Sequence, residues 1–105
     1  MWFIFPQIEG LGSSPMARKF AIASRGEAQA YLDHPLLGSR LRKCTRLVTD
    51  VPDGAIGDIL GYPDDIKFRS SMTLFARVAA DPKDFIAALD KFYGGEFDPA
   101  TVERL

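Results

Sequence analysis

Apolar positions in this chain recur at helical spacing almost throughout, and its punctuation marks where helices begin and end. Proline repeatedly follows a residue suited to an N-cap, at Ser14-Pro15, Asp81-Pro82 and Asp98-Pro99. It fits the first helical position because its missing N–H would lack a partner there anyway. Ser24 with Glu27 forms an S-x-x-E capping box. His34-Pro35 is a further start with a weaker cap, and Gly94-Gly95 after Phe92-Tyr93 is a stop. Together these signals predict helices at residues 15–21, 24–32, 35–49, 64–79, 82–93 and 99–105, with a short turn near 55–60 before Gly61-Tyr62-Pro63. No alternating strand pattern is present, and residues 2–8 read either as extended chain or as a helix end stopped by Pro6. The expected fold is all-α: one domain over residues 1–105, a compact bundle of about six short helices around a single-layer core, with no sheet.

Turning each helix by about 100° per residue assigns its faces. Over 35–49, Leu36, Leu37, Leu41, Cys44, Leu47 and Val48 fill one arc, and Arg42, Lys43, Arg46 and Thr49 the other. Arg40 falls inside the apolar arc. Over 64–79, Phe68, Met72, Leu74, Phe75, Val78 and Ala79 form the apolar face, while Ser70, Thr73 and Arg77 point away. Asp64, Lys67 and Ser71 stack within that apolar sector. In 82–93, Phe85, Ile86, Leu89, Phe92 and Tyr93 point inward.

Composition narrows the function classes. The 105 residues are 47% hydrophobic and 26% charged, an ordinary globular balance. A net charge of −1 gives no overall attraction to nucleic acid or an anionic membrane. No apolar run approaches the ~20 residues of a membrane span. One cysteine, Cys44, and one histidine, His34, provide neither a disulfide framework nor a nitrogen–sulfur metal site, so no cofactor or metal is expected and the default compartment is cytoplasmic. The run MWFIFPQI at residues 1–8 has the density of a core segment, which suggests that a true N-terminal element is missing or that the start is assigned at an internal Met.

Three groups could carry chemistry. A charge in a packed arc needs a partner, so Arg40 is expected to pair with Asp64 or Asp65, either as a structural tie or as part of a site. The Asp64–Lys67–Ser71 line could border a cleft in which Lys67 and Arg69 meet an anion and Asp64 or Asp65 acts as base; alternatively the carboxylates serve the helix dipole and Lys67 reaches solvent. The loop from Gly10 to Arg18 combines glycines, hydroxyls at a helix start and a nearby cation, as an anion site requires and as an ordinary capped turn also shows. Arg42, Lys43 and Arg46 read as a solvated basic face.

Two segments, WFIFPQIEGLGSSPMARKFAI and GYPDDIKFRSSMTLFA, resemble the signature stretches of domain-of-unknown-function family 1810, small helical proteins of bacteria and fungi. AQAYLDHPLLGSRLRKCT fits the family's A-x-x-Y-L-x-H-P-x-L-G-x-R-L pattern, and LDKFYGGEFDPATVERL resembles its C-terminal end. The resemblance implies an all-α fold without an assigned activity. Family members usually carry an upstream helical segment ending in Ser/Thr-His-Trp, so the resemblance also marks the chain as lacking an N-terminal helix. Some members are labelled calpastatin, which does not suit this composition, since such an inhibitor would be disordered. The family's characteristic polar residues fall on Gln7, Ser13, Arg18, His34, Arg40, Asp64, Asp65, Lys67, Arg69 and Ser71.

The functional expectation is a small anionic ligand, phosphorylated or nucleotide-like, held in a polar cleft between helices 35–49 and 64–79. Gln7, Ser13, Arg18, Arg40, Lys67, Arg69 and Ser71 would bind it, and Asp64, Asp65 and Lys67 are the candidates for hydrolytic or transfer chemistry. The alternative is a non-catalytic helical module that docks a protein partner. Neither reading involves nucleic acid or a membrane.

Overall fold

A computed structural model describes residues 5–8, 10, 21–51, 56–61 and 64–105. Six helices form among them: α1 Arg25–Asp33, α2 Leu37–Thr49, α3 Ile56–Leu60, α4 Asp64–Val78, α5 Lys83–Tyr93 and α6 Pro99–Glu103. No strand forms among the described residues; Ile8 and Ile22 meet in one isolated parallel bridge, joined by a 2.8 Å bond from Ile22 N–H to the Gln7 carbonyl. Residues 5–8 are therefore extended rather than a helix end. The helix predicted at 15–21 lies outside the described residues, apart from Ala21, which is not helical.

Capping chemistry sets most of these ends. Ser24 Oγ accepts from Glu27 N–H at 3.2 Å, and Glu27 Oε2 accepts in return from Ala23 N–H. Asp98 caps α6 by accepting from Thr101 N–H. Gly94 ends α5 at φ 64°, a left-handed conformation that glycine adopts without a Cβ penalty. The expected Asp81-Pro82 start shifts by one residue: α5 begins at Lys83, whose N–H meets Asp81 Oδ1 at 3.4 Å. The stretch read as a turn near 55–60 closes into α3.

The centre of the bundle is α4, which packs against α1, α3, α5 and α6. Phe68 and every residue from Ser70 to Phe75 are buried. Two aromatics one heptad apart organise this packing. Phe68 takes Phe5 edge-on at 4.9 Å and Phe92 at 6.4 Å, and Phe75 meets Tyr31 at 5.6 Å and Phe85 at 5.7 Å. Such contacts add to the area each ring buries. The expectation that Ser70 and Thr73 face outward is corrected by this wrapping. Both are buried, because α6 and the segment before it lie over that side of α4.

The face assigned to α2 is also corrected. Its buried stripe is Gly38, Leu41 and Thr45, whereas Leu36 and Leu47 are 64% and 61% exposed. Arg40, placed by the wheel in the apolar arc, is exposed as well. The wheel records which residues are apolar; the neighbours α1 and α5 decide which of them are covered.

Candidate functional site

Asp64, Lys67 and Ser71 lie on one side of α4, following the helical repeat from its first turn. Asp64, Asp65 and Lys67 are half-buried, and Ser71 is wholly buried. Ser71 differs from the other buried hydroxyls of the helices. Thr45 and Thr73 each donate to the carbonyl four residues earlier at 2.8 Å, and Ser70 shares its proton between the Asp98 carboxylate at 2.9 Å and the Ile66 carbonyl at 3.3 Å. Ser71 Oγ has no hydrogen-bond partner among the described protein atoms. An unsatisfied buried hydroxyl costs stability, so a group that satisfied it would be favoured.

Asp65 Oδ1 accepts from Ile66 N–H at 2.9 Å, and its backbone carbonyl accepts from the Tyr93 hydroxyl. Burial raises the proton affinity of Tyr93 strongly, the Asp65 carboxylate raises it further, and Arg69 opposes both. This contact ties the first turn of α4 to the end of α5.

Arg69 closes the other side of that junction. Its Nη2 donates to the Phe97 carbonyl at 2.9 Å and its Nε to the Glu96 carbonyl at 3.3 Å, and its guanidinium sits 5.7 Å from the centre of the Tyr93 ring. The donors expected to meet an anion thus hold the chain between α5 and α6.

The expected Arg40 pair does not form: among the described residues Arg40 makes no ion pair with Asp64 or Asp65. Its charge partly offsets the upward shift that burial imposes on the Tyr31 phenol. Thr45, which reaches Met72 of α4 at 3.8 Å, marks the side of α2 that faces α4. Arg40 stands about 140° away around the helix. Gln7 is buried and contributes its carbonyl to the bridge with Ile22. Ser13 and Arg18 lie outside the described residues. At the near end of that loop, Gly10 has φ 97°, and a Cβ on it would come within 2.4 Å of Arg104 Nη1.

Some of the most connected polar residues escaped the sequence reading. Asp84 accepts Arg46 at 3.2 Å and lies 3.6 Å from Arg42, which also donates to the Asp81 carbonyl and covers the Phe85 ring at 5.0 Å. Arg42 and Arg46 therefore fasten α2 to α5 and are not simply a solvated basic face. Asp98 Oδ2 accepts from Ser70 at 2.9 Å and from the Thr101 hydroxyl at 2.6 Å, and Asp98 N–H donates to Thr73 at 2.8 Å. Its position before Pro99 was the one signal that could have found it, and that signal gave only the cap. Among the described residues no group of three or more histidine, cysteine, aspartate or glutamate residues could hold a metal, and no helix is long and apolar enough to cross a membrane.

The arrangement defines a small helical protein with a polar line on its central helix. The chain matches the DUF1810 family of proteins of unknown function over residues 1–105, and it belongs to that family. It is similar to the crystal structure of the conserved hypothetical protein Rv1873 from Mycobacterium tuberculosis, with 56% identity and a TM-score of 0.97, over 99% of this chain and 74% of that one. No curated protein matches the chain.

Proposed function

We propose that this protein binds a small anionic ligand, phosphorylated or nucleotide-like, against the Asp64–Lys67–Ser71 side of α4. The observation that carries this reading is the buried Ser71 Oγ, without a hydrogen-bond partner among the described residues, in line with a cation and a carboxylate on the same helix. A phosphoryl oxygen accepts from both a hydroxyl and an ammonium, which suits that pair of donors. Gln7, Ser13 and Arg18 remain candidates for the rim of the site. Arg69, which keeps further guanidinium N–H groups beyond those given to Glu96 and Phe97, is a candidate too, whereas Arg40 stands on the far part of α2. A cytoplasmic setting fits the single free Cys44.

A thermal-shift screen with inorganic phosphate, nucleotides, ADP-ribose and sugar phosphates tests the proposal. A ligand at ~100 times its Kd adds about 2.7 kcal/mol to stability, which raises Tm by roughly 10 °C or more in a domain this small. The shift should vanish in Lys67→Ala and Ser71→Ala and survive in Arg40→Ala. No shift from any of these anions would overturn the reading. Phosphorus NMR of a ligand that binds distinguishes storage from turnover; hydrolysis or transfer would require Asp64 or Asp65 as base, and its loss in Asp64→Asn or Asp65→Asn with the shift retained would assign the role.

A further inference from the structure

The second helix buries one face and leaves two of its leucines on the opposite one. Its buried stripe is Gly38, Leu41 and Thr45, while Leu36 at its N-cap and Leu47 near its C-terminal end are exposed. Leu47 lies eleven positions after Leu36, so the two stand about 16 Å apart along the axis and within about 20° of one line. Arg40 and Lys43 are exposed between them, at the fourth and seventh positions of the same repeat. The helix contains Arg40, Arg42, Lys43 and Arg46 and no acidic residue, in a chain whose net charge is −1. Arg42 and Arg46 are engaged by Asp84, whereas neither Arg40 nor Lys43 takes part in an ion pair among the described residues.

We infer that this stripe is a docking surface for an acidic amphipathic helix of a partner protein. Its two apolar anchors would cover Leu36 and Leu47, and carboxylates between them would meet Arg40 and Lys43. Charge complementarity selects this occupant. A second copy of α2 would bring the same cations face to face. Helices that lie on membranes separate their apolar and charged faces, whereas here leucine and cation alternate along one line, so lying flat on a bilayer would press both cations into it.

Fluorescence anisotropy with the full chain tests the surface. The probe is a fluorescein-labelled helical peptide with leucines eleven residues apart and glutamates at the two matching positions between them; a second peptide carries glutamines there. The glutamate peptide should bind at least tenfold more tightly than the glutamine peptide, and its affinity should fall with added salt. Affinity should drop at least tenfold in the double variants Leu36→Ser/Leu47→Ser and Arg40→Glu/Lys43→Glu. Circular dichroism and Tm should stay close to those of the parent, because all four side chains are exposed. The inference is overturned by no binding of the glutamate peptide, by equal affinity for both peptides, by unchanged affinity in the variants, or by sedimentation with phosphatidylserine vesicles in the absence of peptide binding.

Discussion

Gly38 lies directly against the backbone of Leu32: a Cβ built on it would stand 2.0 Å from the Leu32 carbonyl oxygen and 2.8 Å from its carbonyl carbon. This contact brings the start of α2 onto the end of α1. The two helices are joined by only His34, Pro35 and Leu36, so their approach leaves no room for a side chain at the corner.

Gly38→Ala is therefore expected to be among the most damaging single changes in the protein. Alanine gains about 1 kcal/mol in helix propensity over glycine. The clash is between the new Cβ and the Leu32 backbone and cannot be relieved by turning a side chain, so a net loss of about 3 kcal/mol is expected, near the upper end for overpacking. In a domain of this size that lowers Tm by roughly 10 °C or more. A Gly38→Ala variant that melts within a degree or two of the parent would show that the helices do not meet in this way.

Ser71 and Asp98 should respond in opposite directions to removal. Ser71→Ala deletes a buried hydroxyl with no partner among the described residues, so the unliganded protein should be unchanged or up to about 1 kcal/mol more stable. Asp98→Ala removes the cap of α6, leaves the Thr101 hydroxyl without its acceptor and leaves Ser70 only the longer bond to the Ile66 carbonyl, at an expected cost of about 2–3 kcal/mol. Asp98→Asn keeps an acceptor and should restore much of that loss. Urea denaturation of the three variants measures these differences directly. A clear destabilisation by Ser71→Ala would mean that its hydroxyl already has a structural partner.

What the sequence revealed depended on how far apart the interacting residues lie. The Ser24, Asp98 and Gly94 caps act within a few positions of themselves and were readable at once. The Asp64–Lys67–Ser71 line was readable for the same reason, since it needs only the helical repeat. The surroundings of Ser70 and Thr73 were not, because their partner Asp98 comes 28 and 25 residues later. Arg40 was misplaced because the wheel counted Leu36 and Leu47 as core, and only the positions of α1 and α5 show that they are uncovered. The structural tie made by Arg69 was hidden because a sequence does not reveal that the Glu96 and Phe97 carbonyls turn back toward it.

His34 should prove to be a working helix cap. Its Nδ1 accepts from the backbone N–H of Leu36 at 3.2 Å and of Leu37 at 3.1 Å, which requires that nitrogen to carry no proton. Leu36, the residue at the N-cap itself, provides no side-chain bond. His34→Ala should cost about 1 kcal/mol, and His34→Asn, whose side-chain oxygen can accept at a helix start, distinctly less. Equal losses in the two variants, by thermal denaturation, would mean that the imidazole matters for some reason other than its accepting nitrogen.

Tyr31 and Tyr93 should set the alkaline limit of stability. Both phenols hold their protons above the ordinary value of 10.0, chiefly because burial disfavours the phenolate; Cys44 adds to the rise at Tyr31, and Asp65 adds to it at Tyr93. In the unfolded chain each ionises near pH ~10, while in the folded protein each stays protonated to higher pH. Above that point the unfolded state binds fewer protons, so stability falls as pH rises; below it the two tyrosines impose no slope. Because both rings are only half-buried, the fall should be shallower than the limiting ~1.4 kcal/mol per pH unit for each. Urea midpoints measured from neutrality into this range should drop beyond pH ~10, and Tyr93→Phe, which removes one of the two ionisations, should flatten the drop. The tyrosinate absorbance of the folded parent should appear at higher pH than that of the urea-unfolded chain. If the two absorbance titrations coincide, or if Tyr93→Phe loses stability as steeply as the parent, the Tyr93 hydroxyl is not held against Asp65 as the structure places it.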